Sequence, residues 1–187
     1  LTNCLSIVKE YKLGADYLVT AVVRLENRST EPLVLPAQEW VVGTATPMDP
    51  RDQGQAVGVL WYNGAKTEEV GGSSYFSGGC RGAVPPLEYH GGASNVVWAA
   101  AHNQFFALVA MPQQPAQSLI IRRLDLPRPT GEAASMVATN ALPPRGYAAA
   151  MTYPGQTLAP KQTFERQIAL YAGPKEYQTL ARISNKL

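Results

Sequence analysis

Residues Gly146 to Leu187 read "GYAAAMTYPGQTLAPKQTFERQIALYAGPKEYQTLARISNKL". Two segments of this stretch, Tyr147 to Tyr153 and Thr163 to Tyr171, have strand character. In the second, Phe164, Arg166, Ile168 and Leu170 share one face, and Thr163, Glu165, Gln167 and Ala169 share the other. A period of two is the signature of a strand. Pro154-Gly155 makes a tight turn and Pro160 a kink. After Gly173 the period becomes helical. Gly173 can serve as N-cap and Pro174 as first helical residue. Tyr177, Leu180, Ala181, Ser184 and Leu187 then share a face, with Ile183 at its edge. A helix of about 13 residues is marginal alone in water, so its apolar face needs the sheet or a partner. Tyr177, Leu180, Ile183 and Leu187 are therefore partner-contact candidates, and packing on the domain's own sheet is the plainer use.

Everything before Gly173 reads as sheet. Leu5 to Leu13 alternates loosely, and Gly14-Ala15-Asp16 is a turn. Tyr17 to Asn27 is the clearest strand, with Tyr17, Val19, Ala21, Val23 and Leu25 on one face. At about 3.3 Å per residue it spans about 36 Å, which suits a broad sandwich better than a small barrel. Further strands are expected over Leu33 to Val42, Gln55 to Tyr62, Lys66 to Val70, Ser94 to Ala101, Gln104 to Met111, Ser118 to Leu126 and Ser135 to Asn140. Asn63-Gly64 signals a type I′ hairpin and His102-Asn103 a second turn. The glycine-rich segment Gly71 to Pro86 reads as a loop. It lacks the G-x-x-x-x-G-K-[ST] pattern and a following helix, which excludes a phosphate loop.

The chain has 187 residues, enough for one sizeable core. A formal charge of +2 does not argue for nucleic acid. No run reaches the roughly 18 apolar residues of a membrane span. Beginning at Leu1 without an initiator Met points to a piece of a longer chain.

Chemistry-bearing residues are sparse. His90 and Glu88 are two apart on a strand and could be read as an acid–base pair, although sharing a face does not aim them at one substrate atom. His102 reads as a turn residue. Glu68-Glu69 and Asp49 with Asp52 read as solvated turns. Two His and two Cys, scattered from Cys4 to His102, do not make a zinc site. Cys4 reads as a small core residue; whether it pairs with Cys80 stays open. Trp40, Trp61 and Trp98 could stack on a sugar or peptide, but packing is the plainer reading. No catalytic residue, cofactor or metal ligand is assigned.

Three phrases carry a resemblance. "LSIVKEYKLGADYLVTAVVRLENRSTEPLVL" holds K-x-Y-x-L before Y-x-V-x-A-x-V-x-x-x-N, with Ala21 where a larger residue is expected. "VVWAAAHNQFFALVAMP" resembles W-x-A-x-x-x-Q-x-F-A-x-x-x-x-P, and "YPGQTLAPKQTFERQIALYAGPKEYQTLA" a closing strand with L-Y-x-G-P-K and its helix. In this order they resemble the periplasmic domain of the YidC family of bacterial membrane-protein insertases. The resemblance covers Leu5 to Val42 and Val96 to Leu187 well, and Gly43 to Asn95 poorly.

The resemblance implies a mainly β fold, an antiparallel β-supersandwich similar to sugar mutarotases, ending in a C-terminal amphipathic helix. The sandwich would occupy residues 1–173, with earlier strands expected before Leu1. Residues 174–187 would lead toward a membrane part outside this chain. It further implies the periplasmic face of the bacterial inner membrane and a non-catalytic scaffold, with Sec translocon subunits and nascent membrane proteins as partners. The rival is a carbohydrate-binding or mutarotase-like sandwich, which needs a cleft with an exposed Trp and paired His and carboxylate groups. A secreted interaction module is a third, weaker reading.

Overall fold

The computed structural model describes residues 4–49, 52, 54, 56–71, 76, 86–92, 95–136, 143–176 and 178. The opening hairpin joins β1 (Leu5–Leu13) to β2 (Leu18–Asn27), with Leu5 opposite Asn27 and Leu13 opposite Val19. Tyr17, expected to open the second strand, falls outside β2. It and Asp16 have φ of 62° and 57°, and the Gly14 N–H donates to the Leu18 carbonyl at 2.8 Å. This turn brings the Tyr17 ring edge-on to Tyr171, 6.2 Å between centroids.

The expected strand from Leu33 divides at Pro36 into β3 (Leu33–Leu35) and β4 (Gln38–Ala45), as proline's missing N–H predicts. β5 (Gly58–Tyr62) and β6 (Thr67–Gly71) follow as a hairpin. Its turn is not type I′, which needs positive φ at both central residues. Of Asn63 and Gly64 only Gly64 has positive φ, 92°. The Asn63 side-chain oxygen instead accepts from the Ala65 and Lys66 N–H groups, each at 2.9 Å.

β7 (Glu88–Gly91), β8 (Trp98–His102), β9 (Phe106–Pro112) and β10 (Ser118–Asp125) come next. His102 is not in the turn. It ends β8 opposite Ala107, and the turn begins at Asn103. One helical turn, α1 (Glu132–Ser135), occupies the start of the strand expected from Ser135. Residues 137–140 of that strand lie outside the described residues. β11 (Arg145–Tyr153), β12 (Gln156–Leu158) and β13 (Thr163–Pro174) follow.

β13 runs three residues past the expected end. Gly173 pairs with Ala107 and Pro174 with Phe106, so Gly173 is not an N-cap and Pro174 does not start a helix. A Cβ on Gly173 would lie 2.8 Å from both the Tyr17 ring and the Tyr171 hydroxyl. Close packing, not capping, requires the glycine. Beyond Glu176 only Gln178 is described. Tyr177, Leu180, Ile183 and Leu187 lie outside the described residues.

The chain is mainly β and antiparallel. Among the described residues one sheet has seven strands in the order β1-β2-β13-β9-β8-β5-β6, and a second has four, β4-β11-β10-β7. β3 and β12 form a separate ribbon. The core lies between the two sheets. Val59, Trp61, Val70, Ala99, Ala101 and Ala110 from the larger meet Val42, Leu119, Ile121, Tyr147, Ala149 and Met151 from the smaller. A second, smaller cluster of Val23, Leu25, Leu35 and Leu158 sits under the ribbon.

Candidate functional site

The sheets are unequal, and that inequality makes the site. Seven strands against four leave three without an opposite number, about 14 Å of width at the usual strand spacing. β4, an edge of the small sheet, packs over β8 and β9. The strands beyond β9 in the large sheet are β13, β2 and β1. Among the described residues their inner face is capped at one end by the β3–β12 cluster and is otherwise open.

The result is an apolar groove of about 630 Å³. Leu5, Ile7, Lys9 and Tyr11 of β1 form one wall. Gln38, Glu39, Trp40 and Val41 of β4 form the other. Ala21, Val23 and Leu25 of β2, with Ile168 and Leu170 of β13, make the floor. Large apolar side chains remain in water here: Ile7 is 55% exposed, Tyr11 61% and Val41 75%. Among the described residues both flanking strands are sheet edges, since β1 pairs only with β2 and β4 only with β11. Exposed apolar edges are where other chains attach.

Arg166 lies beside this floor, buried, opposite Val23 on the inner face. Its guanidinium carbon sits 3.4 Å from the centre of the Tyr153 ring, with Trp40 and Phe164 at 5.3 and 5.2 Å. The rings attract the cation through their π faces, while burial lowers its pKa. The alternation of Phe164, Arg166 and Ile168 already places this charge on an apolar face. That was the signal in the sequence.

The other predicted residues fall elsewhere. His90 Nε2 and the Glu88 carboxylate do meet, at 3.4 Å, but on the solvent side, 65% and 43% exposed. Arg122 of β10 holds that same carboxylate at 2.7 Å and reaches Glu39 with two bonds of 2.6 and 2.8 Å. The intervening strand is β11, which sets Ala148 beside Arg122, so the guanidinium crosses to Glu39 without obstruction. The arginine bonds hold Glu88 and Glu39 below the usual carboxylate range. A proton donor needs the opposite shift. Arg122 thus ties β7 to β4 across the small sheet.

His102 is buried, with Nε2 3.4 Å from Glu69 and Nδ1 3.3 Å from the Lys175 ammonium. Lys175 also donates to the Asn103 carbonyl at 3.0 Å. Burial first, and the Lys175 charge second, lower the His102 pKa. Trp61 is buried in the core, Trp98 stacks on Tyr62, and Trp40 packs edge-on to Tyr153. Cys4 is half-buried, and Cys80 lies outside the described residues. Among the described residues no group of three or more His, Cys, Asp or Glu could hold a metal. No described helix is long and apolar enough to cross a membrane.

Comparison with protein families decides the kinship. The YidC periplasmic domain family matches residues 2–187. The chain belongs to that family. The match includes Gly43 to Asn95, where the resemblance by phrases was poor. No curated protein matches the chain. In this YidC periplasmic domain the groove between β1 and β4 is therefore a surface feature of an insertase's domain on the periplasmic side.

Proposed function

We propose that the domain is a non-catalytic scaffold and contact surface of a membrane-protein insertase at the periplasmic face of the inner membrane. It would meet Sec translocon subunits or inserting membrane proteins. The open apolar groove carries this reading. Water-exposed Ile7, Tyr11 and Val41 sit between two sheet edges, a surface suited to another chain. Family membership supplies the setting.

The sugar-binding rival asks for a histidine and a carboxylate in the cleft. His90 and Glu88 do not line the groove, and the Glu88 carboxylate is engaged by Arg122. The test is site-specific photocrosslinking in the whole insertase. Probes at Ile7, Tyr11 and Val41 are expected to capture a translocon subunit or a nascent membrane protein. A probe at exposed Met136, just past the helical turn, is the control. Equal capture at the control, or none in the groove, overturns the reading. Titrating mono- and oligosaccharides against tryptophan fluorescence is expected to give a flat response.

A further inference from the structure

We propose that His102 and Lys175 form a proton-operated latch. A second proton on the His102 ring expels the Lys175 ammonium and loosens the backbone that leaves β13 from the turn between β8 and β9.

Lys175 directly follows β13 and meets that turn at three points. Its backbone N–H donates to the Phe105 carbonyl at 2.6 Å. Its ammonium donates to the Asn103 carbonyl at 3.0 Å and contacts His102 Nδ1 at 3.3 Å. An ammonium has donors only, so Nδ1 is the acceptor and the ring proton sits on Nε2. Nε2 faces the Glu69 carboxylate at 3.4 Å, an ion-pair distance without a hydrogen bond. Glu69 reaches across β5 because Gly58, the residue opposite His102, has no side chain there. A Cβ on Gly58 would lie 3.6 Å from the Glu69 carboxylate. Ala107, opposite His102 on the other side, carries no charge. Among the described residues Glu69 and Lys175 are the charges that act on the ring.

The latch closes only on a neutral ring. A proton on Nδ1 removes the acceptor and sets an N–H against the ammonium. The ring is 5% exposed, whereas Lys175 is an exposed residue. The ammonium is therefore the group that moves, into water. One backbone bond, to Phe105, then remains of the three contacts. Burial keeps the ring neutral at pH 7, so the latch is closed there and opens as pH falls below about 6.5. Glu69 favours the protonated ring and Lys175 opposes it, so together they set the pH of opening. The switch acts on the backbone leaving the large sheet, not on the core between the sheets.

The test follows the chain by nuclear magnetic resonance from pH 8 to pH 5. Ring-nitrogen shifts of His102 report its tautomer and titration. Amide hydrogen exchange at Lys175, corrected for its intrinsic pH dependence, reports the latch. The Ala172 amide, bonded to the Tyr17 carbonyl on the same strand, is the control. The Nε2–H tautomer is expected at pH 8. Protection at Lys175 is expected to fall about tenfold as His102 titrates, equivalent to one unit of pKa coupling, with Ala172 unchanged. Two changes at exposed residues are expected to move the ring's titration in opposite directions. Glu69→Gln lowers its midpoint, and Lys175→Met raises it. His102→Asn keeps an acceptor near Nδ1 that does not titrate, and is expected to hold Lys175 protected throughout. An Nδ1–H tautomer at pH 8 overturns the proposal. So does a ring that titrates with no change at Lys175, or a loss of protection shared equally by Ala172. If His102→Asn does not fold, the two exposed variants still decide: equal midpoints in both and in the parent overturn it.

Discussion

Two parts of the same sheet obey the same alternation and end in opposite environments. At β5 and β8, Val59, Trp61, Ala99 and Ala101 point inward and are almost wholly buried under the small sheet. At β1, Ile7 and Tyr11 point inward too, yet more than half of each is exposed. The difference is not in the strands. It lies in what covers them: β4 stops over β8 and β9, and nothing among the described residues lies over the outer part of β1. The core forms where the two sheets overlap, and among the described residues an apolar surface is left open where one outruns the other.

The sharpest way to break this comparison is to remove a side chain from the closed half. Trp61 is 1% exposed and tilts against the Tyr89 ring at 5.6 Å. Trp61→Ala is expected to cost about 3–5 kcal/mol, from lost transfer energy and the cavity left behind. Urea unfolding followed by far-UV circular dichroism measures it. A loss below about 1 kcal/mol would mean that the overlap does not hold the domain together.

Arg166 sits at the boundary between the halves and sharpens the comparison next. Its cation faces three rings, and its buried Nε and Nη1 have no hydrogen-bond partner among the described residues. Stacking favours the residue by up to about 2 kcal/mol when desolvated, while desolvation of the charge opposes it. Arg166→Met keeps much of the volume and removes the charge. Stability is expected to stay within about 1 kcal/mol of the parent, because the two effects offset. A loss of 3 kcal/mol or more would mean that an anion partners the guanidinium in solution.

Much of this architecture was legible from periodicity, and the failures share a cause. β1 matches its expected bounds, and β2, β10 and β13 come close, because long alternating runs with polar ends declare themselves. β12 has three residues, too few for a period. Gly173 was read from local helix-capping chemistry, but its place is decided by Tyr17, distant in sequence and adjacent in space. His102 was read as a turn residue because polar His-Asn interrupts an apolar run, yet Glu69 and Lys175 meet it inside the fold. The groove had no signature at all. Alternation tells which face points inward, and only the pairing order tells how far the opposing sheet reaches.

His102 gives the closed half a pH dependence. Its folded pKa is lowered, so the folded state takes up its proton less readily than the unfolded chain. The group's contribution is fully present above the unfolded value of about 6.5. It is lost as pH falls through the lower folded value. Lys175 repels the protonated ring and Glu69 attracts it, but burial and Lys175 prevail. Thermal unfolding between pH 8 and pH 4.5 is expected to show Tm falling more steeply below about 6.5 for the parent than for His102→Gln. Parallel slopes would show that His102 does not set the dependence.

The smallest expected effect is at the open wall. Tyr11→Ser removes a large apolar side chain, and in the core such a change would be severe. Here 61% of the residue is already in water, so little transfer energy is lost and no enclosed cavity forms. Its pairing with Ala21 is a backbone ladder that serine keeps. The change is expected to move stability by no more than about 0.5 kcal/mol, by the same urea titration as Trp61→Ala. It should instead weaken crosslinking from Val41 across the groove. A core-sized loss at Tyr11 would mean that β1 is covered in solution and that the inequality of the sheets leaves no open surface.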